Sequence, residues 1–147
     1  MTDDTLRTVS IERTALGRYE IRNVRGGTLS LGGGEGTDFT PVELLLAAIG
    51  GCTAADVDHI TSKRAEPVRF SVTVTGDKIR DAEHGNHLEN LEVTFDIGFP
   101  EGSDGDAARE ALPRAVQRSH DRLCTVSRTV EIGTPVRTTI APADATS

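Results

Sequence analysis

Thr40-Pro41-Val42-Glu43-Leu44-Leu45-Leu46-Ala47-Ala48-Ile49-Gly50-Gly51-Cys52 decides how the rest of the chain is read. It opens like a helix. Thr40 is a good N-cap, Pro41 suits the first helical position, and Glu43 stands three residues after Thr40, the spacing of a capping box. Leu44 to Ile49 is then apolar on every side, the mark of a buried helix. The helix is predicted to run to about Lys63, where Lys63 and Arg64 suit a C-terminal dipole, and Pro67 closes the region. Gly50-Gly51 is its weak point. Each glycine costs about 1 kcal/mol relative to alanine, so the pair implies close approach of another backbone or of a ligand beside Cys52.

On the N-terminal side the pattern is β-structure. Val9 and Ile11 alternate with polar neighbours, Ala15-Leu16-Gly17 reads as a turn, Tyr19 and Ile21 alternate again, Arg25-Gly26-Gly27 turns, and Leu29 and Leu31 form a third short strand. This is a β-meander. The glycine-rich stretch Gly32 to Asp38 has neither a following Lys-Ser/Thr nor spaced glycines opening a helix, so it reads as a mobile surface loop rather than a phosphate cradle.

On the C-terminal side, Val68, Phe70, Val72 and Val74 alternate, as do Leu91, Val93, Phe95, Ile97 and Phe99, with a charged loop from Asp81 to Asn86 between them. Asp104 or Asp106 is expected to cap a second helix, with Ala108, Ala111, Leu112, Ala115, Val116 and Ser119 on its small-residue face and Pro113 kinking or dividing it. Thr129 to Ile140 reads as a last strand, interrupted by Gly133 and Pro135, and residues 141–147 as a disordered tail. No internal repeat or linker divides the sequence. The expected architecture is a single α+β domain over residues 1–147: a strand meander, a long buried central helix, and further strands with a second helix. Leu44 to Ile49 is too apolar to face water, and 147 residues leave little to cover it, so a second subunit is expected to do so in a homodimer.

Composition excludes several functions. Lys and Arg number 16 against 23 Asp and Glu, for a net charge of −7, with no clustered basic run to neutralise phosphates. Four Phe, one Tyr and no Trp do not make a base-stacking platform. Nucleic acid is therefore not an expected partner. No run of apolar residues approaches the roughly 20 that span a bilayer, and Met1-Thr2-Asp3-Asp4 lacks a signal-peptide apolar region. No membrane partner is expected, and the location is expected to be cytoplasmic. Two cysteines, Cys52 and Cys124, are too few for a secreted disulfide scaffold; in a reducing compartment they are inert core residues or a working pair.

The two cysteine segments together resemble the osmotically inducible protein C and organic hydroperoxide resistance (OsmC/Ohr) family. Thr40 to Cys52 matches the family's Pro-x-Glu-Leu-(x)-Ala-Ala-(x)-Cys helix, and Ser119-His120-Asp121-Arg122-Leu123-Cys124-Thr125-Val126-Ser127 matches its second motif, Cys-x-x-Ser. The order of elements agrees from about Val9 to Val136, and the Gly50-Gly51-Cys52 form resembles the YhfA-like branch. The resemblance implies an OsmC-like fold and an intertwined homodimer with active sites between subunits. It implies a thiol-dependent peroxidase acting on organic hydroperoxides, without cofactor or metal. Cys52 would attack the peroxide and become a sulfenic acid, Cys124 would resolve it as a disulfide, and an external dithiol would re-reduce the pair. An Arg and a Glu would hold Cys52 as thiolate.

The chemistry of the residues sets conditions on this role. A free thiol titrates near pH 8.5 and burial raises that. Cys52 lies mid-helix in apolar company and is expected to gain nothing from a helix N-terminus, so a peroxidatic role needs a cation. The candidates are Arg18, Arg22 and Arg25. Gly17-Arg18 at the first turn resembles the position of the family's Arg, with Arg25 beside Gly26-Gly27 as the alternative. Glu43 is the candidate acid. It stands nine residues before Cys52, on the opposite face of an ideal helix, whereas the acid of hydroperoxide resistance proteins stands ten before, at Val42 here. Glu43 thus has two readings, catalytic partner or capping-box residue.

Other polar groups read as structural. Asp56 and His59 share a face with Cys52, but His59 lies about 10.5 Å along the axis, too far for a direct bond, and the pair reads as a solvated face. His84 and His87 have a spacing at which loop histidines bind metals, yet no acid or cysteine completes a known pattern, so no metal site is expected. His120, four before Cys124, reads as lining the site or capping a helix end, not as catalytic. Two other functions stand beside the peroxidase: a non-catalytic dimeric module of the same fold that binds a small apolar or thiol-bearing ligand, and a structural pair of buried cysteines.

Overall fold

A computed structural model describes residues 5–143 of the chain. In order, the elements are β1 (Val9–Ala15), β2 (Arg18–Asn23), β3 (Thr28–Leu31), α1 (Pro41–Thr61), β4 (Arg69–Asp81), β5 (Gly85–Gly98), α2 (Ser103–Arg118), a π-helical turn (Ser119–Leu123) and α3 (Thr125–Ile132). The fold is α+β, with the expected meander, central helix, later strand pair and second helix. The chain divides into two compact units, Met1–Gly50 with Val72–Thr94, and Gly51–Ser71 with Phe95–Ser147.

In the first unit, β1, β2 and β3 form an antiparallel sheet in that order. Gly17, at φ 73°, turns β1 into β2 where most side chains would be strained. The register pairs Ile11 with Ile21 and Ile21 with Leu29, so period-two alternation becomes one apolar row across three strands. That row is not buried within one chain: Val9, Ile11 and Leu29 are 63%, 55% and 44% exposed. The loop after β3 is closed by a hydrogen bond from Gly32 N–H to Phe39 O (3.0 Å). At the start of α1 the capping box forms in both directions: Thr40 N–H donates to Glu43 Oε1 (2.9 Å), and Glu43 N–H donates to Thr40 Oγ1 (3.2 Å).

Along α1 the buried residues are Gly50 and a row four apart, Ile49, Thr53, Val57 and Thr61. The remaining apolar faces differ from the expectation of burial all round: in the single chain Leu45, Ala47 and Ala48 are exposed. By length and composition alone α1 is long and apolar enough to cross a membrane, a test that core helices of soluble proteins also pass. β4 and β5 pair as a two-stranded sheet joined by residues 82–84, so the predicted charged loop shrinks to a three-residue turn.

The second unit corrects the sequence reading most. Gly102, not Asp104 or Asp106, is the N-cap of α2, and the two acids occupy its first turn, at the positive end of the helix dipole. Gly105 is obligatory there, because a Cβ would lie 1.6 Å from Pro100 O. Pro113 lies inside α2 without dividing it. The helix passes instead into the π turn, where Cys124 N–H reaches five residues back to Ser119 O (2.9 Å). Residues 125–132, read in part as a strand, are helical. Gly133 ends this helix in the left-handed conformation (φ 67°), with Thr134 N–H returning to Thr129 O (3.4 Å). Residues 134–143 have no regular structure, and of the predicted tail, 144–147 lie outside the described residues.

The two glycines before Cys52 are not equivalent. A Cβ on Gly50 would stand 2.5 Å from Val74 Cγ2, whereas one on Gly51 would meet nothing within 4 Å. Gly50→Ala should therefore destabilise the protein by about 1–2 kcal/mol, overlap outweighing the gain in helix propensity. Gly51→Ala should be neutral or stabilise by up to about 1 kcal/mol. Urea unfolding of both variants checks this, and equal effects would count against the packing argument.

Candidate active site

Cys52 and Cys124 are 72 positions apart in sequence and adjacent in the second unit. Cys52 projects from α1 and is half-buried; Cys124, fully buried, is the junction between the π turn and α3. Both thiols are free. Their sulfurs and a carboxylate oxygen of Asp56 all lie within 4.8 Å of one another.

The start of α3 faces both sulfurs. Cys124 is its N-cap, and Ser127 N–H donates to Cys124 Sγ (3.4 Å). The Cys124 thiol in turn donates to Ser127 Oγ (3.3 Å). The neighbouring backbone of Val126 acts on Cys52 in the direction that favours its thiolate. Helix N-termini carry free N–H groups and a positive partial charge, both of which favour an anionic sulfur. This corrects the expectation that Cys52 gains nothing from a helix N-terminus. Its own helix supplies none; α3 does, because residues 125–132 are helical where a strand was expected from Thr129.

Burial opposes this effect and is larger. Desolvation pushes the Cys52 thiol up, the Val126 hydrogen bond pulls it down, and Cys124 and the Asp56 charge push it up again, so it titrates above the ordinary thiol range. No cation is among these main influences from the described residues.

Asp56 belongs to the site rather than to a solvated face. It is half-buried and accepts a hydrogen bond from Ser119 Oγ (2.8 Å). The buried Ser119 has one hydroxyl proton, which goes to the carboxylate, so Thr53 Oγ1 donates to Ser119 Oγ (2.8 Å). Thr53, Ser119 and Asp56 thus form a short relay beside Cys52. Sequence reasoning placed Ser119 on the helix face and missed its role; the available signal was Asp56 four residues after Cys52, on the same helical face. His59 is exposed and lines a separate cavity of about 700 Å³ with Ile60, Lys63, Arg114, Arg118 and Leu123. His120 is held at the surface by Asp121 (3.0 Å) and Glu131 (2.9 Å).

The remaining candidates lie in the first unit. Arg18 opens β2 opposite Ala15 and is exposed. Arg25 is exposed, its backbone N–H bonded to Asn23 Oδ1 (2.9 Å). Glu43 has one carboxylate oxygen engaged in the capping box.

The spacing of Cys52, Asp56 and Cys124 also fits a soft divalent ion. The N–H donors of α3 aimed at the sulfurs work against a cation there and in favour of an anionic thiolate.

Residues 33–139 match the family model for OsmC-like protein. The chain belongs to the OsmC-like family. An uncharacterised protein of Mycobacterium tuberculosis is 32% identical over 129 residues, covering 86% of this chain and 90% of that protein. A hypothetical protein from Aquifex aeolicus superposes with a TM-score of 0.69 at 26% identity, covering 88% of this chain and 89% of its own. An organic hydroperoxide resistance protein of Legionella pneumophila shares the fold, with a TM-score of 0.56 at 17% identity over 86% of this chain and 90% of its own. Within this OsmC-like chain, two thiols meet at the N-terminus of one helix.

The electrostatics have a measurable consequence. Removing the Asp56 charge takes away one influence that raises the Cys52 thiol, so Asp56→Asn should lower its pKa. Alkylation by iodoacetamide, followed against pH in the Cys124→Ser background, should show a rate profile displaced to lower pH and severalfold faster labelling at pH 8. A profile displaced upward would mean that the Ser119 relay, not the charge, governs Cys52.

Proposed function

We propose that this chain is a thiol-dependent peroxidase that reduces organic hydroperoxides through Cys52 and Cys124. The observation that carries this reading is the adjacency of a half-exposed thiol and a fully buried one at the N-terminus of a single helix. Membership of the OsmC-like family supports it at the level of the family, and a Legionella protein of the same fold is a hydroperoxide resistance protein. The Gly50-Gly51-Cys52 form assigns the chain, in this proposal, to the YhfA-like branch.

The chemistry balances in three steps. Cys52, as thiolate, attacks the outer peroxide oxygen; the O–O bond breaks, an alcohol leaves, and Cys52 becomes a sulfenic acid. The Cys124 sulfur attacks the sulfenic sulfur, a disulfide forms, and water leaves. An external dithiol then exchanges with the disulfide and restores both thiols, becoming oxidised itself. The exposed member of the pair is the one a peroxide reaches, so Cys52 is peroxidatic and Cys124 resolving. Repeated re-reduction requires a reducing compartment, such as the cytoplasm.

A cation is still needed to offset burial of Cys52. Arg18 is the proposed source, with Arg25 as the alternative and Glu43 as the acid that orients it. The proposed assembly is a homodimer. Val9, Ile11, Leu29 and Leu45 are exposed apolar side chains of the single chain, and a second copy would remove them from water.

The second reading, a non-catalytic ligand-binding module, rests on the cavity of about 700 Å³, whose Lys63, Arg114 and Arg118 surround apolar Ile60 and Leu123. Peroxide consumption with dithiothreitol as reductant separates the two: turnover favours the enzyme, and binding without turnover favours the module.

Intact mass after a stoichiometric pulse of cumene hydroperoxide should show loss of two hydrogens. Cys52→Ser should lose the reaction, and Cys124→Ser should gain one oxygen and then over-oxidise. Failure of the wild-type thiols to react faster than free cysteine would remove the peroxidase reading. Analytical ultracentrifugation at micromolar concentration should give a dimer, and a stable monomer would exclude the proposed assembly.

A further inference from the structure

The turn between β4 and β5 gathers four groups that the peroxidase chemistry does not use. Asp81 ends β4, His84 closes the turn, and His87 and Glu89 stand near the start of β5. Spacing alone did not complete a ligand set for the two histidines; the hairpin turn folds Asp81, at the end of β4, back onto both rings. The ligating atoms of Asp81, His84 and His87 all lie within 4.8 Å of one another.

The distances match those a metal imposes. In four-coordinate zinc, with bonds of about 2.0–2.1 Å, neighbouring donor atoms stand roughly 3.3 Å apart. Here Asp81 Oδ1 is 3.4 Å from His84 Nδ1, and Asp81 Oδ2 is 3.8 Å from His87 Nε2. The rings meet edge to face, their centroids 5.4 Å apart, and so do not stack.

The surroundings orient these donors. His87 Nδ1 lies 3.1 Å from Gly85 O, which fixes the proton on Nδ1 and directs Nε2 towards the carboxylates. Metal-bound histidines use this arrangement, one ring nitrogen tied to a carbonyl and the other on the ion. Asp81 is held by the backbone N–H of His84 (2.6 Å). Glu89 Oε2, 2.7 Å from His87 Nε2, and Glu83 Oε1, 3.7 Å from His84 Nε2, add negative charge. Two imidazoles with a carboxylate select a borderline transition metal over calcium or magnesium, which prefer oxygen.

We infer that the β4–β5 turn is a binding site for a divalent transition metal of the zinc class, held by Asp81, His84 Nδ1 and His87 Nε2. Water or Glu89 completes the coordination. The ion sits between His87 Nε2 and its carboxylate neighbours and pins the two ends of the hairpin turn together. The site is independent of Cys52 and Cys124, so it stands or falls apart from the peroxidase reading.

The test is calorimetric titration of zinc chloride into the full chain carrying Cys52→Ser and Cys124→Ser, which removes the thiols as competing ligands. One saturable site is expected. His84→Ala and His87→Ala should each weaken it by at least about tenfold, the loss that even outer-shell changes reach in metal sites. Asp81→Asn should weaken it as well. His120→Ala, which removes a histidine paired with Asp121 and Glu131 elsewhere, should leave it unchanged. In the unsubstituted chain, the imidazole NMR signals of His84 and His87 should shift on zinc addition while those of His59 and His120 do not. Absence of a saturable site, or affinity unaffected by both histidine variants, or shifts confined to His120, would overturn the assignment.

Discussion

The N-terminus of α3 is the constraint around which the reactive centre is arranged. Two sulfurs from distant parts of the sequence lie at this end: Ser127 N–H donates to Cys124 Sγ, and the backbone of Val126 pulls the Cys52 thiol down. That geometry requires a helix to begin at Cys124 and the chain before it to present Cys124 at the right angle. The π turn does the latter. Its five-residue hydrogen bond, Cys124 N–H to Ser119 O, ends one helix and lets the next start at once. Ser119, on the same turn, reaches Asp56 and Thr53 on α1. One local irregularity thus sets both the thiol pair and the acid beside it.

Opposing electrostatic effects define the state of Cys52. Burial and the Asp56 carboxylate favour the thiol, while the Val126 N–H favours the thiolate. In the single chain the first pair prevails. A thiol poised in this way is protected from indiscriminate oxidation, because the thiolate is the nucleophile, and it gains reactivity when a positive charge is added. Exposed Arg18, on β2, exposed Arg25, in the turn between β2 and β3, and exposed apolar Val9, Ile11 and Leu29 belong to the same three-stranded meander.

Small residues recur where elements come close. Gly50 lies against Val74, Gly105 against the Pro100 carbonyl, and the buried positions of α2 are Gly105, Ala108 and Ala115. Short side chains there let backbones approach, so hydroxyls such as Thr53 and Ser119 can meet directly across 2.8 Å. Packing by short side chains leaves little tolerance for added methyl groups.

The sequence by itself determined the elements whose signals are local. The capping box at Thr40 and Glu43, the glycine turns of the meander and the period-two strands depend on neighbours within a few positions, and local patterns report them directly. The reactive cysteines were legible because two motifs stood in the family's order. Tertiary structure alone decided the rest. Residues 125–132 mix β-branched and polar residues that local preference cannot assign, and they become helical because Cys124 caps them and Gly133 stops them. Asp56 looked like a solvated charge until Ser119, 63 residues away in sequence, supplied its hydrogen bond. Asp81 joined His84 and His87 only when the hairpin closed. Ser119 lies outside the span over which sequence periodicity carries information, so only the folded chain could bring it to Asp56; Cys124, Gly133 and Asp81 are near neighbours in sequence, and there the path of the backbone between them made the difference.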